Sequence, residues 1–196
     1  MSRAHTLKAG PIELVAGTGE ILEADMLGRE PLSRRIEARL GDGWPPVGHE
    51  RHVVEWASAY LREHPGSSGW LIWYMVLPES PDRGRTLVGS CGFKGKPRGE
   101  GLAEAAVSVL PAHRRRGYAT EAVSALLDWA FVHRTVRTVA ADASPDDAAM
   151  TGLLAKCGFK GAGPGEDPGS ARYTIGRADH EAARLRRQFE TKRPGR

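Results

Sequence analysis

The 196-residue chain has only two cysteines, Cys91 and Cys157. Two thiols exclude a disulfide framework and a cysteine-rich zinc site. The seven histidines show no HExxH or other paired ligand spacing, so we expect no metal. The longest apolar run, residues 70–77, is too short to span a bilayer, and the first ten residues lack the apolar segment of a secretory signal. These absences predict a cytoplasmic protein with reduced thiols.

Basic charge is concentrated at the C-terminal end of the chain. The formal net charge is +4, yet residues 1–170 contain 20 Lys/Arg against 21 Asp/Glu, and residues 171–196 contain 8 against 3. The larger part of the chain is therefore nearly neutral, which argues against a protein that coats nucleic acid with a generally basic surface. We predict that residues 177–196 form a basic C-terminal helix and tail.

Strand patterns and helix patterns alternate along the chain. Runs typical of β-strands cover residues 12–15, 70–77, 86–93, 102–110, 136–141 and 171–176. Short connections between 70 and 110 predict an antiparallel meander, and the strand–helix–strand–helix order after it predicts a parallel pair. In the N-terminal third, Leu32, Ile36 and Leu40 recur every four residues, which predicts a helix that ends at Gly41. A second helix is predicted over residues 50–64.

The most informative segment joins the strand at 102–110 to the helix that follows it. An arginine-rich turn, Arg114–Arg116, leads into Gly117, which opens an amphipathic helix. The free N–H groups and the positive dipole end of a helix N-terminus form an anion site, and glycine lets the backbone approach the anion closely. This pattern predicts a phosphate-binding loop, although it is neither GxxxxGK[ST] nor GxGxxG.

This segment also resembles a known family. Residues 114–119, RRRGYA, match the R/Q-x-x-G-x-G/A signature of the GCN5-related N-acetyltransferases (GNAT). The neighbouring GYATEAVSALLDWAF and the later LLAKCGF are most similar to the branch of ribosomal-protein-alanine N-acetyltransferases, the RimJ/RimL-like proteins. The resemblance is good over residues 86–160, weak over 1–65 and absent from the final helix.

The resemblance implies a fold. A GNAT protein is α/β, with a mixed, mostly antiparallel central sheet of six to seven strands flanked by helices. The sheet is splayed between two adjacent parallel strands, which here are 102–110 and 136–141. We expect a single acetyltransferase domain over residues 1–176, with acceptor-side helices within 20–65, in a monomer or homodimer.

The resemblance also implies acetyl-CoA as cosubstrate. Its pyrophosphate would lie on the arginine–glycine turn, and its pantetheine arm would run along the preceding strand. The residues implied in binding are Val107, Ser108, Val109, Arg114, Arg115, Arg116, Gly117, Tyr118, Ala119, Thr120 and Asp147. The acetyl group would pass directly to a primary amine of a protein N-terminus or a small molecule.

For the chemistry, the resemblance implies an acidic residue facing the acceptor, and Glu104 is the candidate general base. Three positions depart from the family pattern. Leu154 stands where many members have a Tyr as general acid, and Met150 stands where the ribosomal branch often has Ser near the thioester. Asp147 stands where that branch often has Asn, and it either contacts the pantetheine amide or caps its helix.

The acceptor is the least defined part of the sequence. Trp44, in a loop between Gly43 and two prolines, is the candidate acceptor contact, whereas core packing is expected for Trp56 and Tyr60. Two alternatives to the enzyme remain: a CoA-binding module with weak or no catalysis, and a basic protein associated with nucleic acid or the ribosome. Neither a membrane nor nucleic acid is required by the enzyme hypothesis.

Overall fold

The computed structural model describes residues 5–191. Nine strands are found in this range: β1 Thr6–Ala9, β2 Ile12–Ala16, β3 Arg39–Leu40, β4 Ile72–Leu77, β5 Thr86–Phe93, β6 Leu102–Val109, β7 Thr138–Ala143, β8 Lys160–Pro164 and β9 Ala171–Gly176. The helices are α1 Gly19–Leu27, α2 Arg29–Ile36, α3 Arg51–Glu63, α4 Tyr118–Val132, α5 Ala148–Cys157 and α6 Arg177–Thr191. None of these helices is both long and apolar enough to cross a membrane.

The chain divides into two compact units, residues 5–96 with 105–126, and residues 97–104 with 127–191. In the first unit the strand order is β1-β2-β4-β5-β6, with antiparallel neighbours, and β3 pairs in parallel with β5. Buried apolar side chains of β2, β4 and β5 and of α1, α2 and α3 form a hydrophobic core. The second unit contains the order β6-β7-β9-β8.

Strand β6 belongs to both units. Its first three residues pair in parallel with β7, from Leu102↔Thr138 to Glu104↔Ala140, and its last five pair antiparallel with β5. The expected α/β fold with a mostly antiparallel sheet and a parallel pair is therefore confirmed. The described residues contain nine strands, whereas six to seven were expected. The sequence pattern missed β1, β3 and β8, because these strands have only two to five residues and β8 is built of Lys, Gly, Ala and Pro.

The helix predicted up to Gly41 is wrong at its C-terminal end. Helix α2 ends at Ile36, and Glu37 adopts a left-handed conformation with φ of 52°. Arg85 donates a hydrogen bond of 3.1 Å to the Ile36 carbonyl, which satisfies an acceptor at the helix end. Leu40 instead pairs with β5, and Gly41 lies so close to Leu110 that a Cβ atom would be 2.7 Å from its Cδ1. These contacts join residues far apart in sequence, so the local four-residue repeat could not predict them.

The predicted basic helix begins at Arg177 and packs within the second unit. The Arg177 guanidinium donates to the carbonyl oxygens of Phe131, His133 and Val136, and the His180 ring lies 2.8 Å from Asp128. Arg177 thus satisfies acceptors at the end of α4 and in the turn after it. Residues 192–196 of the predicted tail lie outside the described range.

The turn before β6 requires a glycine at residue 101. Gly101 has φ of +91°, and a Cβ atom there would overlap the Thr135 carbonyl oxygen. We expect Gly101→Ala to reduce the free energy of unfolding by about 3 kcal/mol or more. The energetic cost of the left-handed backbone conformation and that of the overlap with the Thr135 carbonyl oxygen are added together.

The matched control for this substitution is Gly99→Ala. Gly99 also has positive φ, +52°, but a Cβ atom added there would meet no neighbour within 4 Å. The control should cost only about 1–2 kcal/mol of backbone strain. Equal losses for the two variants in chemical denaturation would contradict the proposed role of the Thr135 contact.

Candidate functional site

The turn between β6 and α4, residues 114–120, forms the candidate phosphate loop. One turn of 3₁₀ helix, Pro111–His113, follows β6, and two residues of the loop then have positive φ: Arg115 at +60° and Gly117 at +82°. The Gly117 carbonyl accepts the first helical hydrogen bond of α4 from Glu121 N–H, at 3.1 Å. Gly117 is therefore the N-cap, and the first N–H groups of α4 project toward the loop.

Gly117 also leaves room for an anion. A Cβ atom at this position would meet nothing within 4 Å. The glycine is thus needed for its left-handed conformation and not to avoid a neighbour in the chain. The open side of the glycine and the positive end of the α4 dipole fit a phosphate group.

The three arginines of the loop differ in their contacts. The Arg114 Nε donates to the Val109 carbonyl at 2.9 Å, which ties its side chain back to the end of β6. Arg115 and Arg116 are exposed. We infer that Arg114 stabilises the loop, whereas Arg115 and Arg116 supply positive charge at its surface.

The middle of β6 is more exposed than its ends. Val107 and Ser108 pair with Cys91 and Ser90 of β5 but remain half-buried, and Ala106 is exposed. Val109, by contrast, is buried. A partly exposed strand segment has backbone available to a ligand that runs alongside it.

Charged side chains lie on one face of three adjacent strands in the second unit. Glu104 is opposite Ala140, and Asp142, two residues further on β7, is opposite Arg172 of β9. Side chains two residues apart on a strand share a face. Glu104, Asp142 and Arg172 therefore form a charged row.

Arg172 is the centre of this row. Its Nε and one terminal nitrogen each donate to a carboxylate oxygen of Asp142 at 2.9 Å, and the same terminal nitrogen lies 3.7 Å from Glu104 and 3.3 Å from Glu166. The hydrogen bonds to Asp142 are the main cause that raises the pKa of Arg172. Arg98, from the turn before β6, binds the other Glu104 oxygen at 2.6 Å.

Asp147 is the N-cap of α5. Its Oδ1 accepts hydrogen bonds from Ala149 N–H at 3.1 Å and Met150 N–H at 2.9 Å, which confirms the capping hypothesis. Met150 is half-buried, and Leu154 is only 1% exposed. Neither side chain carries a proton that it could give to a thiolate.

A comparison with protein families identifies the chain. Residues 30–160 match the model of the acetyltransferase (GNAT) domain. The chain belongs to the GNAT family. The matched range includes the phosphate loop, the middle of β6 and Asp147, so the resemblance seen in the signature extends over two thirds of this GNAT chain.

Individual GNAT relatives support the same fold. The uncharacterized N-acetyltransferase YjdG of Bacillus subtilis is 32% identical over 107 residues, which are 53% of this chain and 61% of YjdG. Mycobacterium smegmatis RimJ, solved with CoA-disulfide, has a TM-score of 0.63 at 18% identity, with 97% of this chain and 94% of RimJ covered. The microcin C7 self-immunity acetyltransferase MccE, solved with acetyl-CoA and AMP, has a TM-score of 0.57 at 13% identity, with coverage of 85% and 93%.

Trp44, the predicted acceptor contact, is buried in the first unit with 7% exposure. Its ring lies 4.8 Å from that of His49 and 6.1 Å from that of Tyr74. Asp25 joins the latter two: its Oδ2 lies 2.7 Å from both His49 Nε2 and the Tyr74 hydroxyl. Burial and the Asp25 charge raise the pKa of Tyr74. The role of Trp44 in acceptor binding stays a prediction.

Other expectations had mixed outcomes. Cys91 and Cys157 are buried and form no disulfide, and burial raises the pKa of Cys91. The expectation of core packing is wrong for Trp56, which is 46% exposed and has its ring tilted by 33° against that of Tyr60, with 5.3 Å between the ring centroids. Tyr60 is half-buried against the core of the first unit.

The sequence pattern did not reveal three residues of the charged network, Arg98, Asp142 and Arg172. Each looks like an ordinary charged residue in a turn or a strand, and only the strand register brings them to Glu104. The alternation of Asp142 with Ala141 and Ala143, and of Arg172 with Ala171, was a weak local signal. It indicates a charged face but not which strands are neighbours.

His113, beside the phosphate loop, gives a measurable test of the local charge. Burial, Arg116 and Arg83 lower its pKa, and Asp42 partly opposes them. We expect NMR titration to place the His113 pKa below that of a free histidine, and Arg116→Ala to raise it. Because the folded-state pKa is depressed, the associated stability is present above the unfolded pKa and is lost as pH falls.

Arg115→Ala is the matched control, since it removes the neighbouring positive charge. We expect its effect on the His113 pKa to be smaller than that of Arg116→Ala. A His113 pKa that is insensitive to Arg116→Ala would contradict the assigned influence of Arg116 on the loop.

Proposed function

We propose that this GNAT protein transfers the acetyl group of acetyl-CoA directly to a primary amine. The observation that carries the proposal is the phosphate loop: a left-handed glycine with open space beside it at the start of a 15-residue helix. RimJ and MccE, which share the fold, were solved with CoA-disulfide and with acetyl-CoA. These ligands support acetyl-CoA as the cosubstrate.

In this proposal the pyrophosphate is bound by the backbone of the phosphate loop. Gly117, Tyr118, Ala119 and Thr120 supply the helix N-terminus, and the arginines add charge. The open side of Gly117 is the feature that fits this role, because a phosphate oxygen could approach the backbone there. The fit concerns the anionic end of CoA and does not depend on the acceptor.

The pantetheine arm is proposed to pair with Val107, Ser108 and Val109. The partial exposure of Val107 and Ser108 supports this assignment. Asp147 is proposed as a further contact to a pantetheine amide. Both of its capping hydrogen bonds use Oδ1, so the contact would use Oδ2.

The acceptor amine must lose a proton before it attacks. When bound, acetyl-CoA supplies a thioester carbonyl carbon as the electrophile. We assign Glu104 as the base that takes one proton from the acceptor ammonium, directly or through water. A backbone N–H of β6 donates to the oxyanion of the tetrahedral intermediate. As the new C–N bond forms, the C–S bond breaks, and the second nitrogen proton reaches the CoA sulfur through solvent.

Solvent is assigned the acid step because of the side chains on α5. Leu154 and Met150 occupy the two positions at which a donor would be expected, and neither can donate. These two residues also favour the alternative function, a CoA-binding module with weak catalysis. Release of free thiol from acetyl-CoA across a panel of peptides and amines distinguishes an enzyme from such a module.

For the acceptor, we propose a protein N-terminal amine ahead of a small molecule. This follows the resemblance of GYATEAVSALLDWAF and LLAKCGF to the RimJ/RimL-like branch. The similarity in fold to RimJ over 97% of this chain is compatible with that branch. The panel should therefore include peptides with free N-termini that begin with Ala or Ser, together with polyamines and small amines.

Acetyl-CoA binding is tested by thermal shift with Gly117→Val. We expect acetyl-CoA at about 100 times its Kd to raise the Tm of the wild type by about 5–10 °C. The valine side chain would enter the space proposed for the phosphate and disfavour φ of +82°, so the shift should disappear.

Gly169→Val is the matched control for backbone strain. Gly169 has φ of +83° and, like Gly117, no atom within 4 Å of an added Cβ. This variant should lose similar stability but keep the shift with acetyl-CoA. If acetyl-CoA fails to stabilise the wild type, the proposed cosubstrate is wrong.

The base assignment is tested with Glu104→Gln. We expect kcat/KM for an acceptor identified in the panel to fall by about 100-fold or more, because the amide cannot take the proton. The thermal shift with acetyl-CoA should persist, since the phosphate loop is unchanged. Glu100→Gln, an exposed carboxylate in the turn before β6, is the control and should retain activity. Unaltered rates for Glu104→Gln across the pH range would remove Glu104 from this role.

A further inference from the structure

Glu104 is a buried carboxylate with two unequal guanidinium partners. Its side chain is 7% exposed. Arg172, which is 21% exposed, is directed mainly to Asp142 and reaches Glu104 only at 3.7 Å. Arg98 makes the short contact, 2.6 Å to Oε1, although its own side chain is 65% exposed. Of these two arginines, the less buried one is therefore the closer to Glu104.

The two arginines are also held differently. Arg172 is fixed by two hydrogen bonds to Asp142 and by Glu166. Within residues 5–191, the Arg98 guanidinium donates to Glu104 alone. The backbone of Arg98 is fixed by its exchange of hydrogen bonds with Leu102, at 2.9 and 3.0 Å. The Arg98 side chain can thus leave Glu104 without breaking another contact.

Burial makes a cation at Glu104 necessary, but not a particular cation. A buried carboxylate that loses its partner is strongly disfavoured. An exposed arginine gains little from one ion pair, because solvent screens the pair and ordering the side chain costs entropy. Exchange of Arg98 for another cation at the same oxygen keeps the carboxylate paired.

We propose that Arg98 is a positioning residue that occupies Glu104 in the free enzyme and is displaced by the protonated amine of the acceptor. The inference rests on the proposed function, in which Glu104 receives that amine. Arg98 keeps the buried carboxylate ionised and oriented between turnovers. The acceptor ammonium then takes its place on Oε1, in position to give up a proton. Displacement of Arg98 becomes part of the cost of acceptor binding.

The first experiment needs no acceptor and no acetyl-CoA. It measures the Tm of Arg98→Ala in low-millimolar methylguanidinium, a cation with the shape of the lost group. We expect methylguanidinium to raise the Tm of this variant and to leave the wild type unchanged, because Arg98 fills the site there. The double variant Arg98→Ala/Glu104→Gln should not respond, since it has no carboxylate at residue 104.

Arg34→Ala is the matched control. Arg34 also forms an ion pair with a glutamate, Glu30, but both side chains are more than 70% exposed. Its removal leaves a solvated carboxylate, and methylguanidinium should not stabilise the variant. An equal response of Arg34→Ala, or no response of Arg98→Ala, would overturn the proposal.

The second experiment uses an acceptor from the panel and separates KM from kcat. Arg98→Ala should lower the acceptor KM by about two- to five-fold, the range that a partly exposed ion pair supports, with a smaller change in kcat. Arg98→Lys keeps a cation near Glu104, and this variant replaces Arg98→Ala in the KM measurement if the alanine variant does not fold. Its flexible ammonium should compete less well than the planar guanidinium, so the KM should again fall. A KM that rises in both variants would show that Arg98 helps to bind the acceptor instead.

The two experiments distinguish a failure of the proposed acetyl transfer from a failure of the proposed displacement of Arg98. If acetyl-CoA neither binds nor reacts while methylguanidinium still stabilises Arg98→Ala, the proposed function fails and the exchangeable cation at Glu104 remains. If acetyl transfer is observed without either Arg98 effect, only the displacement proposal fails.

Discussion

The change of hydrogen-bonding partner along β6 is the constraint on which the candidate site depends. Residues 102–104 pair with β7, whereas residues 105–109 pair with β5. The change falls directly after Glu104, and the strand then ends at the phosphate loop. One strand therefore provides the proposed base, the proposed pantetheine contact and the entry to the anion site. These three functions follow one another in order along the chain, from Glu104 through residues 107–109 to the loop.

The two proposed chemical tasks rely on different kinds of charge. In the proposed function the phosphate loop binds CoA through the helix dipole and the backbone, with exposed arginines around it, which requires a left-handed glycine and a helix start. The proposed acceptor side relies on a buried carboxylate, which is stable only beside compensating charge. Arg172 and Arg98 both contact this carboxylate, but Arg172 is held by Asp142, whereas Arg98 is exposed and in our proposal exchangeable.

The positions that depart from the family pattern lie on α5. The helix itself is well formed, with Asp147 as N-cap and Gly158 as a left-handed C-cap. Leu154 and Met150 therefore do not reflect a damaged helix. They remove possible proton donors while the capping of the helix is kept, and Leu154 is itself buried. This separation explains why the chain can keep the fold of an acetyltransferase whatever the rate of its acid step.

The sequence by itself determined the elements with strong local signals. The strand over 86–93 and the strand over 171–176 were predicted at the bounds that the structure has, and so was the start of α4 directly after Gly117, because glycine conformation and helix starts are local properties. Only the tertiary structure decided where α2 ends, that Trp44 is buried, and that Glu104 shares its face with Arg172. These features depend on strand register and on contacts between residues 30 to 70 positions apart, which no local pattern encodes. A charged residue in a strand looks the same in sequence whether it faces solvent or a buried partner.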